Sequence, residues 1–143
     1  MLKYLIDTDH LSVYARKQGS AYARLKAKIA QVEPTEIGVA IISFHEQAIG
    51  CHSYLQRAKN AYDLARGYLM FQELLGAFSS ANVVPFSAVV ANRFLGLRSQ
   101  LSTVSTNDLR IAAVALEHGL TLVTGNTVDF QKVPGLRLDN WLD

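Results

Sequence analysis

Four acidic residues are spaced along the chain so that each falls where a strand-forming run gives way to a helix or loop. Asp7 follows Tyr4-Leu5-Ile6, Glu46 follows Ile37 to Ile42, Asp108 precedes Ile111-Ala112-Ala113, and Asp129 follows Leu122-Val123. The chain contains 12 Asp plus Glu, so a third of its acids occupy such junctions. In an open α/β sheet, ligands bind beyond the carboxyl ends of the strands. Carboxylates collected there make an oxygen-rich pocket that suits Mg2+ or Mn2+ and metal-assisted phosphoester chemistry.

Each acid also has a plain structural role open to it. Ser43-Phe44-His45-Glu46 and Ser105-Thr106-Asn107-Asp108 both match the capping-box pattern. Asp9 reads as a simple N-cap and Asp129 as a turn residue. Two details favour a shared site. Asp108 lies on the same helical face as Ile111, Ala112, Ala115 and Leu116, and Asp7 directly follows an apolar strand. Carboxylates grouped at a partly buried edge raise one another's pKa unless a cation joins them.

The elements that would carry these residues follow from periodicity and breakers. Short β-rich runs at Lys3–Ile6, Ile37–Ile42, Val83–Val84 and Thr121–Thr124 read as strands, with Leu136–Leu138 as a fifth at an edge. Helical spacing covers Asp9 to Lys17, Ser20 to Val32, Ser43 to Leu55, Asn60 to Phe78, Ser87 to Leu97 and Ser105 to His118. Thr8 or Asp9 is a plausible cap for the first of these, and Gly119 a stop for the last. Strands alternating with helices predict one α/β domain over residues 1–143. Its mostly parallel sheet of four or five short strands is flanked by helices on both faces. The helix at 60–78 has Leu64, Tyr68, Phe71, Leu75 and Phe78 on its main apolar face, widened by Leu69, Met70 and Leu74.

Composition narrows the class. Half of the 143 residues are hydrophobic and 18% are charged, as in a globular protein. The net charge of +2 permits a nucleic-acid partner without requiring one. A single cysteine, Cys51, excludes an internal disulfide and a cysteine zinc site, and fits a reducing cytoplasm. There is no signal-peptide pattern at the start, and no apolar run is long enough for a membrane helix. The four histidines form no metal-ligand pattern and read as structural. Five basic residues between Arg16 and Lys28 read as a solvated helix face.

The ordered set Leu5-Ile6-Asp7-Thr8-Asp9, Ser43 to Glu46, Thr106-Asn107-Asp108-Leu109-Arg110-Ile111-Ala112-Ala113 and Leu122-Val123-Thr124-Gly125-Asn126-Thr127-Val128-Asp129-Phe130 resembles the PIN-domain ribonucleases, specifically VapC-type toxins of bacterial toxin–antitoxin pairs. The ending Val133-Pro134-Gly135-Leu136 to Asn140-Trp141 completes the resemblance. It implies Mg2+- or Mn2+-dependent RNA cleavage, with Asp7, Glu46 and Asp108 as metal-site acids and Asp129 or the position of Asn126 completing the site. The residues themselves offer Thr8 and Thr106 as supporting hydroxyls, Asn126 as a hold on water or phosphate, and Arg110, two residues after Asp108, as either a phosphate contact or an ordinary helix charge. A homodimer and a cognate, VapB-like antitoxin are the implied protein partners. The family often carries a basic residue where Gly125 stands, so one phosphate contact is missing here.

Two other readings compete. Asp7-Thr8-Asp9 after a strand also resembles the first motif of haloacid-dehalogenase-like phosphohydrolases, but that reading leaves Glu46 and Asp108 without a role. A non-catalytic PIN-like binding module is the other, and the intact Asp7, Glu46 and Asp108 argue against it.

Overall fold

The computed structural model describes all 143 residues. Five strands form one sheet: β1 (Tyr4–Ile6), β2 (Ile37–Ala40), β3 (Val83–Val84), β4 (Thr121–Val123) and β5 (Leu138–Asp139). Their order is β3-β2-β1-β4-β5, and every neighbouring pair is parallel. Chain order therefore runs outward from β1 through β2 to β3, then restarts on the other side with β4. The crevice between β1 and β4 is the topological switch point, where such sheets bind ligands.

Alternation along the strands divides the core in two. Leu5 and Leu122 point to the face covered by α5 (Ala88–Gln100) and α6 (Thr106–His118). Ile6, Val39 and Val123 point to the opposite face, where Leu25 of α2 (Ser20–Ile29) and Trp141 close over them. Helix α6 is the central prop, with Leu109 and Ile111 to Ala115 all buried. Burial on nearly all sides is what its short Ala-rich run permits. Gly119 ends it in the left-handed region, at φ 65°, where a residue without Cβ is unstrained.

Several boundaries differ from the sequence expectation. Strand β2 stops at Ala40, and α3 (Ile41–Arg57) starts within the apolar run that reads as strand. Ser43 consequently lies inside α3, and the expected Ser43–Glu46 capping box does not form; the N-cap is Ala40. Helix α1 (Thr8–Arg16) is capped by Asp7, not by Thr8 or Asp9. The fifth strand lies at Leu138–Asp139, slightly later than expected, and a short helix α7 (Thr127–Phe130) follows β4.

Helix α4 (Ala61–Ser79) corrects the expected apolar face. It packs against α3, where Gly67 meets Leu55 and Phe78 meets Phe44; Gly67 and Leu74 are buried and Met70, Phe71 and Phe78 half-buried, whereas Leu64, Tyr68, Leu69 and Leu75 are exposed. Gly67 lies at the closest point of this contact: a Cβ there would lie 2.2 Å from Leu55 Cδ2. Any larger residue would require the Leu55 side chain to move.

Candidate functional site

Asp7 stands at the carboxyl end of β1 and is 5% exposed. Its backbone N–H donates to Val123 O at 2.9 Å, so it continues the β1–β4 ladder into the switch-point crevice. Its carboxylate accepts twice: from the Thr8 N–H at 2.8 Å and from the Thr124 hydroxyl at 2.7 Å. Burial raises its pKa to about 6, with Asp9 and Asp108 adding to the rise, against the lowering effect of the bonds from Thr124 and Thr8. Like-charge crowding is thus a secondary cause; burial dominates.

Asp108 enters from the first turn of α6, where Ser105 Oγ caps the helix by accepting from the Asp108 N–H at 3.2 Å. The Asp108 carboxylate faces Asn126 instead of completing a capping box. Burial raises its pKa; Asp129 and Asp9 add to the rise, while Ser105 and Asn126 oppose it. The Asn126 amide donates to Asp108 Oδ2 at 3.2 Å and to Asp129 Oδ2 at 3.3 Å. One side chain therefore gathers two acids that lie on different elements, α6 and α7.

Glu46 reaches the same end of the sheet from α3. Its Oε1 accepts from the Thr8 hydroxyl at 2.9 Å. Ser43 Oγ lies 3.0 Å from that hydroxyl, and since Thr8 has one proton to give, Ser43 donates to it. Ser43 and Thr8 thus form a buried-to-edge chain behind Glu46.

The other expected contributors divide. Thr106 opens α6, and its hydroxyl joins none of these hydrogen bonds. The Arg110 guanidinium donates to Asn107 Oδ1 at 3.1 Å and lies 5.3 Å from the centre of the Phe94 ring. That occupation is a cation–π and helix-surface role.

Two residues were missed by sequence reasoning. Thr124 is fully buried and holds Asp7 while accepting from the Asn126 N–H at 3.0 Å. Its position directly after an apolar strand, like that of Asp7, was the available signal. Asp9 is not a cap. Its carboxylate accepts from the Gly125 N–H at 2.7 Å and from the His10 ring at 2.8 Å. Burial pushes its pKa up, but the bonds from His10 and Gly125 outweigh this and leave it lowered.

The donor set is all oxygen, which fits Mg2+ or Mn2+ better than a softer metal. No three His, Cys, Asp or Glu side chains converge closely enough to grip one ion by themselves. A cavity of about 360 Å³ beside the amino end of β2, lined in part by Ile29, Val32, Pro34 and Asn82, contains none of the acids. The acids occupy the shallow switch-point crevice at the other end of the sheet.

Comparison with known proteins identifies the fold and family. The PIN domain family model matches residues 4–136. The chain is 36% identical to ribonuclease VapC2 of Rickettsia felis, over 96% of this chain and 97% of that protein. It is 27% identical to ribonuclease VapC1 of the same organism, over 94% and 92%. The fold matches that of VapBC-1 from nontypeable Haemophilus influenzae with a TM-score of 0.80 at 18% identity, covering 99% of this chain and 100% of that one. The PIN match spans Asp7, Glu46, Asp108 and Asp129 in sequence and displaces the dehalogenase-like reading. No helix is long and apolar enough to cross a membrane. Sheet order, crevice and match together place the chain in the PIN-domain family, among its VapC-type members.

Proposed function

We propose that this chain is a ribonuclease toxin that hydrolyses RNA phosphodiester bonds using Mg2+ or Mn2+, and that a VapB-like antitoxin neutralises it. The observation that carries the reading is the gathering of Asp7, Asp108 and Asp129 at the switch-point crevice, with the first two pKa values raised. The similarity to proteins named ribonuclease VapC supports the RNA substrate, and the likeness to VapBC complexes supports the antitoxin.

Asp7, Glu46, Asp108 and Asp129 are the residues that would hold the metal. When bound, the ion supplies an activated water and neutralises charge on the phosphoryl oxygens. The chain's own contribution is positioning. Thr124 and the Thr8 N–H aim the Asp7 carboxylate, and Thr8 with Ser43 aims Glu46. Asn126 separates Asp108 from Asp129 and shields their mutual repulsion until a cation replaces it. In the metal-free chain Arg110 is held by Asn107 and the Phe94 ring, and its remaining guanidinium N–H groups are the donors it would offer a phosphate. The lone cysteine and an RNA substrate fit a reducing cytoplasm.

The test is cleavage of a broad pool of structured RNAs by antitoxin-free protein with Mn2+ and with EDTA. Cleavage with Mn2+ that EDTA abolishes and Asp7→Asn eliminates is expected. Cleavage that persists in EDTA would refute the metal requirement. No cleavage of any RNA would favour a binding-only module.

A further inference from the structure

Asp9 and Gly125 form a matched pair. The Asp9 carboxylate sits so close to the Gly125 backbone that a Cβ on Gly125 would lie 2.9 Å from Asp9 Oδ2. Gly125 does not have positive φ, so close approach of the carboxylate, and not backbone twist, is what calls for glycine here. Any side chain at this position, the family's frequent basic residue included, requires the Asp9 carboxylate to shift.

Behind Asp9 the contacts continue inward. His10 is fully buried. Its Nε2 faces the Trp141 backbone N–H at 3.1 Å, and its Nδ1 faces Asp9 Oδ1 at 2.8 Å. A backbone N–H can only donate, so Nε2 accepts and the ring proton lies on Nδ1, directed at Asp9. Trp141 is itself locked, 2% exposed and edge-on to Tyr4 of β1 with ring centres 5.0 Å apart. The carboxyl-terminal segment therefore fixes the His10 ring, the ring fixes Asp9, and Asp9 fixes Gly125. The next residue is Asn126, whose amide gathers Asp108 and Asp129.

We propose that Asp9 and His10 are positioning residues: through the Gly125 N–H they set the β4–α7 loop so that Asn126, Asp108 and Asp129 are arranged to receive the metal. This rests on the metal-site reading above. Neither residue needs to touch the ion or the RNA. The pair Asp9–Gly125 takes over the anchoring of this loop.

The test uses the full chain and three variants. Gly125→Ala acts at an exposed position and displaces Asp9 without opening the core. Asp9→Asn leaves one acceptor for two donors, so either Gly125 or His10 loses its bond. His10→Gln is the conservative variant, because its amide offers one acceptor to Trp141 and one donor to Asp9. Calorimetric titration with Mn2+ at a temperature where melting curves show each variant folded reads the effect. Gly125→Ala and Asp9→Asn are each expected to weaken Mn2+ binding about tenfold, the scale of losing an outer-shell partner, with His10→Gln closer to wild type. Nitrogen NMR of the metal-free wild type is expected to show the Nδ1–H tautomer of His10, with the Gly125 amide protected from exchange. Unchanged Mn2+ affinity in Gly125→Ala, beside a wild type that does bind Mn2+, overturns this inference alone. A wild type that binds no Mn2+ overturns the metal-site reading and this inference with it.

Discussion

Thr124 and Asp7, 117 positions apart in sequence, meet as a buried donor and acceptor at the ends of adjacent strands, with the Thr124 hydroxyl 2.7 Å from Asp7 Oδ2. The parallel pairing of Ile6 with Val123 makes this contact, because the next residue on each strand emerges into the same crevice. Replacing Thr124 by Val preserves shape and removes the donor, and it also leaves the Asn126 N–H without its acceptor. A buried carboxylate that loses a hydrogen bond is destabilised by about 1–3 kcal/mol. Thr124→Val is expected to cost that much in urea unfolding at pH 7.5 and less at pH 5, where Asp7 is largely protonated. An equal loss at both pH values would mean the hydroxyl does not serve the charged form.

The pH dependence of metal-free stability follows from Asp7. Its pKa is about 6 in the fold against 3.8 ordinarily. An acid with a raised folded-state pKa binds its proton more tightly in the fold. Its contribution to stability is complete below about pH 4 and is lost as pH rises through about 6. The gap corresponds to on the order of 3 kcal/mol. Asp108, also raised, acts in the same direction. In EDTA, wild type is expected to lose stability across this window, and Asp7→Asn, which cannot ionise, to lose markedly less. Above pH 7 the variant should melt at or above the wild type. Parallel pH profiles for the two proteins would show that Asp7 carries no such strain.

Divalent ions should reverse that ranking. A ligand that binds only the folded state stabilises it by roughly RT ln(1 + [L]/Kd), about 2.7 kcal/mol at one hundred times Kd. Millimolar Mn2+ is expected to raise the melting temperature of wild type and to leave Asp7→Asn nearly unmoved. If Mn2+ shifted both proteins equally, Asp7 would not be a ligand.

Asn126 and Asp129 separate by a different experiment. Asp129→Asn should weaken Mn2+ binding. Asn126→Asp places a third carboxylate against Asp108 and Asp129, so it should destabilise the metal-free protein and tighten Mn2+ binding. Thermal melts with and without Mn2+ read both effects. Unaltered Mn2+ affinity in Asp129→Asn would remove that residue from the site.

The exposed face of α4 bears on assembly. Leu64, Tyr68 and Leu75 share one flank of the helix and are 48%, 65% and 64% exposed. An apolar patch of this kind marks an interaction surface. A homodimer of twice 15.8 kDa is expected by light scattering at micromolar concentration, and Tyr68→Lys with Leu75→Lys should shift it toward monomer. A wild-type particle of 15.8 kDa would exclude self-association.

What the sequence determined by itself was local and chemical. Each short β-rich run, each helix stop and each junction acid follows from residue type and spacing within a few positions, because strand period, caps and breakers are short-range effects. The parallel α/β architecture follows from their alternation. Tertiary structure decided what depends on a partner distant in the chain. An apolar run such as Ile37 to Ile42 satisfies strand and buried helix equally, and only packing ended β2 at Ala40. The apolar residues of α4 could face inward on either side, and packing against α3 buried the side of Gly67 and Leu74. Asp9 has the composition of a cap and became the anchor of a loop more than a hundred residues away, because parallel pairing of β1 with β4 brings its carboxylate to the Gly125 N–H. A hydrogen bond between side chain and distant backbone leaves no periodic trace, so only the folded register reveals it.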